Sequence, residues 1–129
     1  ILNLHLESTI FVYGSKKDIQ NILEQSSIGI LTSKSEGLPV ALLEYGLYAK
    51  PVVVTNVGEI PLVIQDGING FLVQSNSVSL FYDSLVKLIE NDSLRTNFGK
   101  TLQKTIENNY SEKAVILQYS NWLENSKND

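Results

Sequence analysis

A chain of 129 residues is one domain's worth, and 43% hydrophobic residues suffice for a single core. A formal net charge of −4 supplies no basic field for nucleic acid, and the lack of cysteine removes both a disulfide framework and any Cys-based metal site. No apolar run approaches the ~18 residues of a membrane span and no signal-peptide pattern opens the chain, so a soluble segment is expected. It starts at Ile1 and contains no methionine, so a piece of a longer polypeptide is expected.

Leu2, Leu4 and Leu6 among Asn3, His5 and Glu7 have the apolar spacing of a frayed helix end. His5, the only histidine, has no sequence neighbours suited to metal binding or catalysis and reads as an ordinary surface residue. Thr9-Ile10-Phe11-Val12-Tyr13, closed by Gly14, predicts a strand. Residues 15–25 then place Ile19, Ile22 and Leu23 at helical spacing, a short amphipathic helix. On its own, the intervening Gly14-Ser15-Lys16 is a plain strand-to-helix turn with Lys16 and Lys17 in solvent.

Ile28-Gly29-Ile30-Leu31 is short and apolar enough for a buried strand. A polar turn follows, Ser33 to Glu36. Pro39 suits the first helical position, where its missing N–H costs nothing. Val40, Leu43 and Leu47 recur at helical spacing until Lys50-Pro51 stops the helix. Val52-Val53-Val54 is the next buried strand, completing one βαβ unit with a parallel crossover. Glu36 stands just before this helix and Glu44 inside it, with seven residues between them. A helix start exposes unpaired N–H groups and partial positive charge, which favour phosphate, and Gly37 lets a ligand approach its backbone. Glu44 lies roughly 6–8 Å along the helix. Each carboxylate can accept two hydrogen bonds from vicinal hydroxyls. Diol, pyrophosphate, diol is the layout of a nucleotide sugar. Without further support, the two residues are also readable as a loop carboxylate and a solvated helix face. A metal site would need a nearby Asp or His to complete a hard-cation shell, and none is present.

Thr55-Asn56-Val57-Gly58-Glu59 is a polar loop at the carboxyl end of a strand, the edge at which open α/β sheets bind ligands. Pro61 suits a short helix through Ile64, Asp66-Gly67 and Asn69-Gly70 signal turns, and Phe71-Leu72-Val73 is the last strand. From Ser77, Leu80, Phe81, Ser84, Leu85, Leu88 and Ile89 make one helical stripe that ends at Asn91. Asp92 can cap a further helix with Leu94, Phe98, Leu102 and Ile106 inward, broken at Asn108-Asn109-Tyr110. Ser111 caps a last helix in which Val115, Tyr119, Trp122 and Leu123 align as packing residues.

Glu36-Gly37-Leu38-Pro39 through Glu44, followed by Lys50-Pro51-Val52-Val53, resembles the E-x7-E signature of retaining GT-B glycosyltransferases of the group 1 family. Phe11-Val12-Tyr13-Gly14 with Asp18 looks like that family's strand and base-side loop. Val57-Gly58 and the run from Asp66 to Val73 look like its later loop and hairpin-like strand. The likeness covers about Leu6 to Asn109. It implies an α/β, Rossmann-like parallel sheet with flanking helices, the C-terminal half of a GT-B enzyme. Residues 1–109 would be the donor-binding domain without its first strand and helix, and residues 110–129 a C-terminal helix packing back on it.

The implied reaction is transfer of a sugar from a nucleoside diphosphate sugar with retention of configuration, without metal or other cofactor. Glu36, as catalytic and donor-binding residue, would hold the donor-sugar hydroxyls. The N–H groups of Gly37, Leu38, Val40 and Ala41 would serve sugar and pyrophosphate, and Glu44 the ribose. Gly14, Ser15 and Lys16 would lie by the base. The family's two consecutive glycines and following Glu become Gly58-Glu59 and Leu62 here, so no role passes to Glu59 or Leu62. The family's pyrophosphate-binding Arg and Lys and its acceptor-binding N-terminal domain would precede Ile1, leaving a chain that catalyses nothing alone and exposes a sheet edge open to self-association. The intact protein would sit in the cytoplasm, peripheral to the inner face of the membrane. The rival is a noncatalytic nucleotide-binding or interaction module on a doubly wound scaffold, such as a receiver domain. Receivers need an acidic cluster at the strand ends, where this chain has Thr32-Ser33 and Thr55-Asn56.

Overall fold

The computed structural model describes residues 2–118. Its elements follow the order α1 (Ile19–Gln25), β1 (Gly29–Leu31), α2 (Val40–Leu47), β2 (Val52–Thr55), α3 (Ile60–Val63), β3 (Phe71–Val73), α4 (Val78–Glu90) and α5 (Asp92–Asn109), preceded by a 3-10 turn at Leu2–Leu4. The fold is the α/β class expected from the sequence. Its three strands are all parallel, in the order β1-β2-β3. Val53 is the centre of the ladder, with Ile30 on one side and Phe71 on the other.

β2 divides the core by strict alternation, since successive side chains leave opposite faces of a sheet. Val52 and Val54 join Leu42, Ile60, Val63, Ile64, Leu102 and Ile106 on one face. Val53 joins Val73, Leu88 and Phe98 on the other, where the Phe71 and Phe98 rings meet edge-on with centroids 5.1 Å apart. α2 lies against α5 so closely that a Cβ on Gly46 would stand 2.3 Å from Ile106 Cγ1. Asn69, buried at the turn before β3, accepts from the Gln65 N–H and donates to Val63 O and Thr105 Oγ1, tying that turn to α5.

Several local expectations change. Residues 10–14 are not a strand. Phe11, Val12 and Tyr13 are exposed, and no described strand pairs with them, so β-rich composition has no ladder to join. α1 starts at Ile19, not near Ser15, because Asp18 is its cap and accepts the Asn21 N–H. Leu23 is buried while Ile19 and Ile22 stay 36% and 38% exposed.

In α2, Pro39 is the cap residue and Val40 the first helical one. The buried line is Leu42 and Gly46, and Val40 and Leu47 are exposed. α2 is apolar on nearly every side, so periodicity could not choose its face; the approach of α5 did. The helix ends at Leu47, before Lys50-Pro51. Ala49 takes φ 51°, and the Ala49 and Lys50 N–H groups close on Gly46 O and Tyr45 O, a Schellman stop. In α4, Leu80 and Ile89 are exposed, while Phe81, Leu85 and Leu88 face inward. The α5 cap is Asn91, whose side chain accepts the Leu94 N–H, and Asp92 is the first helical residue, paired with Arg95. Phe98, Leu102 and Ile106 are buried as expected. Ser111 Oγ does accept the Ala114 N–H and residues 112–118 are helical, but Val115 is half exposed. Tyr119, Trp122 and Leu123 lie outside the described residues.

Candidate functional site

The site is built where β1 hands over to α2. Pro39 has no side-chain oxygen to cap the helix, and none does. The first-turn N–H groups, which an α-helix cannot satisfy internally, therefore remain available at Val40 and Ala41. Pro39 itself is buried and extended (φ −71°, ψ 127°). Directly ahead, Gly37 is exposed and the space its Cβ would occupy has no atom within 4 Å. Glu36 flanks that opening, half-buried, with one carboxylate oxygen accepting from Ser33 Oγ at 2.6 Å.

Glu44 lies further along α2, also half-buried. It lines a groove of about 300 Å³ between α1 and α2, together with Ile19, Ile22, Ala41, Tyr45 and Lys50. Burial pushes the Tyr45 phenol above its ordinary range, and the adjacent Glu44 carboxylate adds to the shift. Lys50 Nζ is spent on Glu24 O and leaves Glu44 without a described ion-pair partner. Glu36, Gly37 and Leu38 thus lead into α2, which carries Val40, Ala41 and Glu44, and of these Ala41 and Glu44 line the groove. Gly14, Ser15 and Lys16 stand just ahead of α1. They occupy an exposed turn, with Gly14 at φ 64°, and line no part of the Glu44 groove.

The loop after β2 is the part that sequence reasoning left without a role. Gly58 takes φ 56°, and a Cβ there would fall 1.8 Å from Glu36 O. Only glycine allows this approach. Glu59 N–H then donates to Gly37 O at 3.2 Å, and Thr55, buried at the end of β2, donates its hydroxyl to Ser33 O at 2.7 Å. The Glu59 and Leu62 side chains themselves point into solvent. A glycine three residues past the end of a buried strand was the available signal. A second hollow, about 290 Å³, opens at the carboxyl ends of the strands between Thr32, Thr55, Gln74, the α4 cap residue Ser77 and the α4 residues Phe81 and Tyr82. Among the described residues, no group of three or more His, Cys, Asp or Glu side chains is placed to hold a metal, and no helix is long and apolar enough to cross a membrane.

A parallel sheet with an open, uncapped helix start beyond its first strand defines a doubly wound domain of Rossmann-like type. The chain belongs to the glycosyl transferases group 1 family, whose model matches residues 1–105. It is 27% identical over 119 residues to N-acetyl-alpha-D-glucosaminyl L-malate synthase of Bacillus anthracis, covering 92% of this chain and 31% of that protein. It is 33% identical over 124 residues to the amylovoran biosynthesis glycosyltransferase AmsD of Erwinia amylovora, covering 95% of this chain and 34% of that one. Among solved structures it resembles an S. aureus TarM variant in complex with fondaparinux, alpha-GlcNAc-glycerol and UDP. That match has a TM-score of 0.84 at 26% identity and covers 93% of this chain and 24% of the other. The chain spans about a third of the length of these two curated relatives.

Proposed function

We propose that this chain forms the donor-binding half of a glycosyltransferase that passes a sugar from a nucleoside diphosphate sugar to an acceptor with retention of anomeric configuration. The observation that carries the reading is the α2 start: uncapped first-turn N–H groups, open space over Gly37, and carboxylates at Glu36 before the helix and Glu44 within it. The N–H groups of Gly37, Leu38, Val40 and Ala41 hold sugar and pyrophosphate oxygens, Glu36 holds the donor-sugar hydroxyls at the reacting end, and Glu44 holds the ribose. Gly14, Ser15 and Lys16 serve the base. The UDP in the S. aureus complex supports a uridine nucleotide as the carrier. Catalysis in such a site is positioning together with stabilisation of leaving-group charge. An acceptor-binding domain and further basic residues for the pyrophosphate complete the intact protein, whose setting is the cytoplasm at the inner face of the membrane. The outer edge of β1, unpaired among the described residues, is a template for self-association.

Two measurements test this. Calorimetry on the intact protein compares UDP with UDP-N-acetylglucosamine, chosen because the S. aureus complex holds UDP and alpha-GlcNAc-glycerol. Glu44→Ala weakens both ligands by roughly tenfold to a hundredfold, because both carry ribose. Glu36→Ala spares UDP and weakens the nucleotide sugar alone, and equal losses for both would remove its sugar assignment. EDTA leaves UDP affinity unchanged, since the helix start and basic residues meet the phosphate charge; a large loss with chelator refutes that. Light scattering on the chain should reveal association growing with concentration, and a monodisperse monomer at high concentration counts against the open edge.

A further inference from the structure

The Ser33 hydroxyl donates to Glu36 Oε1 at 2.6 Å, a contact that binding a sugar does not by itself require. The terminal torsion of a glutamate is soft and roughly two-fold, so an unheld carboxylate presents its oxygens in many orientations. One short hydrogen bond on Oε1 removes that freedom and leaves Oε2 to face a ligand. Ser33 is fixed in turn. Thr55, only 3% exposed, donates its hydroxyl to Ser33 O at 2.7 Å. On the far side of Glu36, Gly58 packs against Glu36 O and Glu59 N–H holds Gly37 O. The loop after β1 is therefore gripped on both sides of Glu36 by the end of β2 and the loop that follows.

We propose that Ser33 is a positioning residue, backed by Thr55, that locks the Glu36 carboxylate in the orientation meeting the donor sugar. It thereby controls affinity for the nucleotide sugar and discrimination among sugars, and leaves affinity for the nucleotide alone. The proposal rests on the donor-site reading of Glu36, and a double-mutant cycle separates the two.

On the intact protein, calorimetry with UDP and UDP-N-acetylglucosamine is run for Ser33→Ala, Ser33→Thr, Glu36→Ala and the double Ser33→Ala/Glu36→Ala variant, with thermal melts as folding controls. Ser33→Ala should weaken the nucleotide sugar about tenfold, the scale of a hydrogen bond to a charged group, with UDP unchanged. Ser33→Thr keeps the hydroxyl and restores affinity. In the Glu36→Ala background, Ser33→Ala should change nothing further beyond about twofold, because its effect runs through the missing carboxylate. Additive losses, equal losses for UDP and nucleotide sugar, or a harmless Ser33→Ala beside a damaging Glu36→Ala would overturn the positioning role and leave the donor site standing. A Glu36→Ala variant that binds the nucleotide sugar as tightly as wild type would overturn both.

Discussion

Two stretches of this chain share a vocabulary and differ in fate. Thr-Ile-Phe-Val-Tyr at residues 9–13 and Val-Val-Val-Thr in β2 are both built from β-branched and aromatic residues. β2 pairs on both sides and all four of its residues are buried. Residues 10–13 join no ladder among the described residues, and Val12 is 81% exposed. A strand is not a local property in the way a capped helix is: its backbone groups need a neighbour, and its side chains need two faces to bury against. β2 has β1 and β3 as neighbours, with helices over each face. The lesson extends to the site, because the same buried strand that organises the core also ends in Thr55, which holds the loop carrying Glu36.

The largest effect expected from this contrast is in stability. Leu42→Ala, in the core that β2 organises, should cost about 2–5 kcal/mol in denaturant unfolding, whereas Val12→Ala should stay within about 0.5 kcal/mol. Comparable losses at the two positions would mean that residues 9–13 are packed after all. A smaller effect is expected at the junction of strand and site. Gly58→Ala forces a side chain into Glu36 O and a left-handed φ, with strain of about 1–3 kcal/mol, and displaces Glu36. Unfolding and UDP-N-acetylglucosamine titration together check it; unchanged ligand affinity would show that the β2 loop does not support the donor surface. The smallest effect has the opposite sign. Ala49 holds the left-handed position of the α2 stop, so Ala49→Gly should raise stability by about 1 kcal/mol, visible as a higher melting temperature.

Much of the architecture was legible because its signals are local or repeat at short range. Asp66-Gly67 and Asn69-Gly70 mark a turn wherever they occur, and Phe98, Leu102 and Ile106 on α5 have only one apolar line to offer the core. The order strand, loop, helix, strand across residues 28–54 followed from apolar runs punctuated by Pro39 and Pro51, although the helix starts and stops shifted by one to three residues. Glu36 and Glu44 were nameable because a carboxylate before a helix and another inside it have a readable chemical use.

The buried face of α2 was illegible, since Val40, Leu42, Leu43 and Leu47 offer several apolar lines and only the arrival of α5 selects the one through Leu42 and Gly46. The cap of α5 was a choice between adjacent Asn91 and Asp92 that backbone geometry decided. Sequence by itself determined that the chain folds as parallel βαβ units around a valine strand and presents a carboxylate-flanked helix start, because apolar periodicity, proline and glycine act within a few residues. Only tertiary structure decided that residues 10–13 stay outside the sheet and that Thr55 and Gly58 reach across to hold Ser33 and Glu36. Those outcomes depend on which backbones lie side by side, over separations such as the 22 residues between Ser33 and Thr55, and no local rule reaches that far.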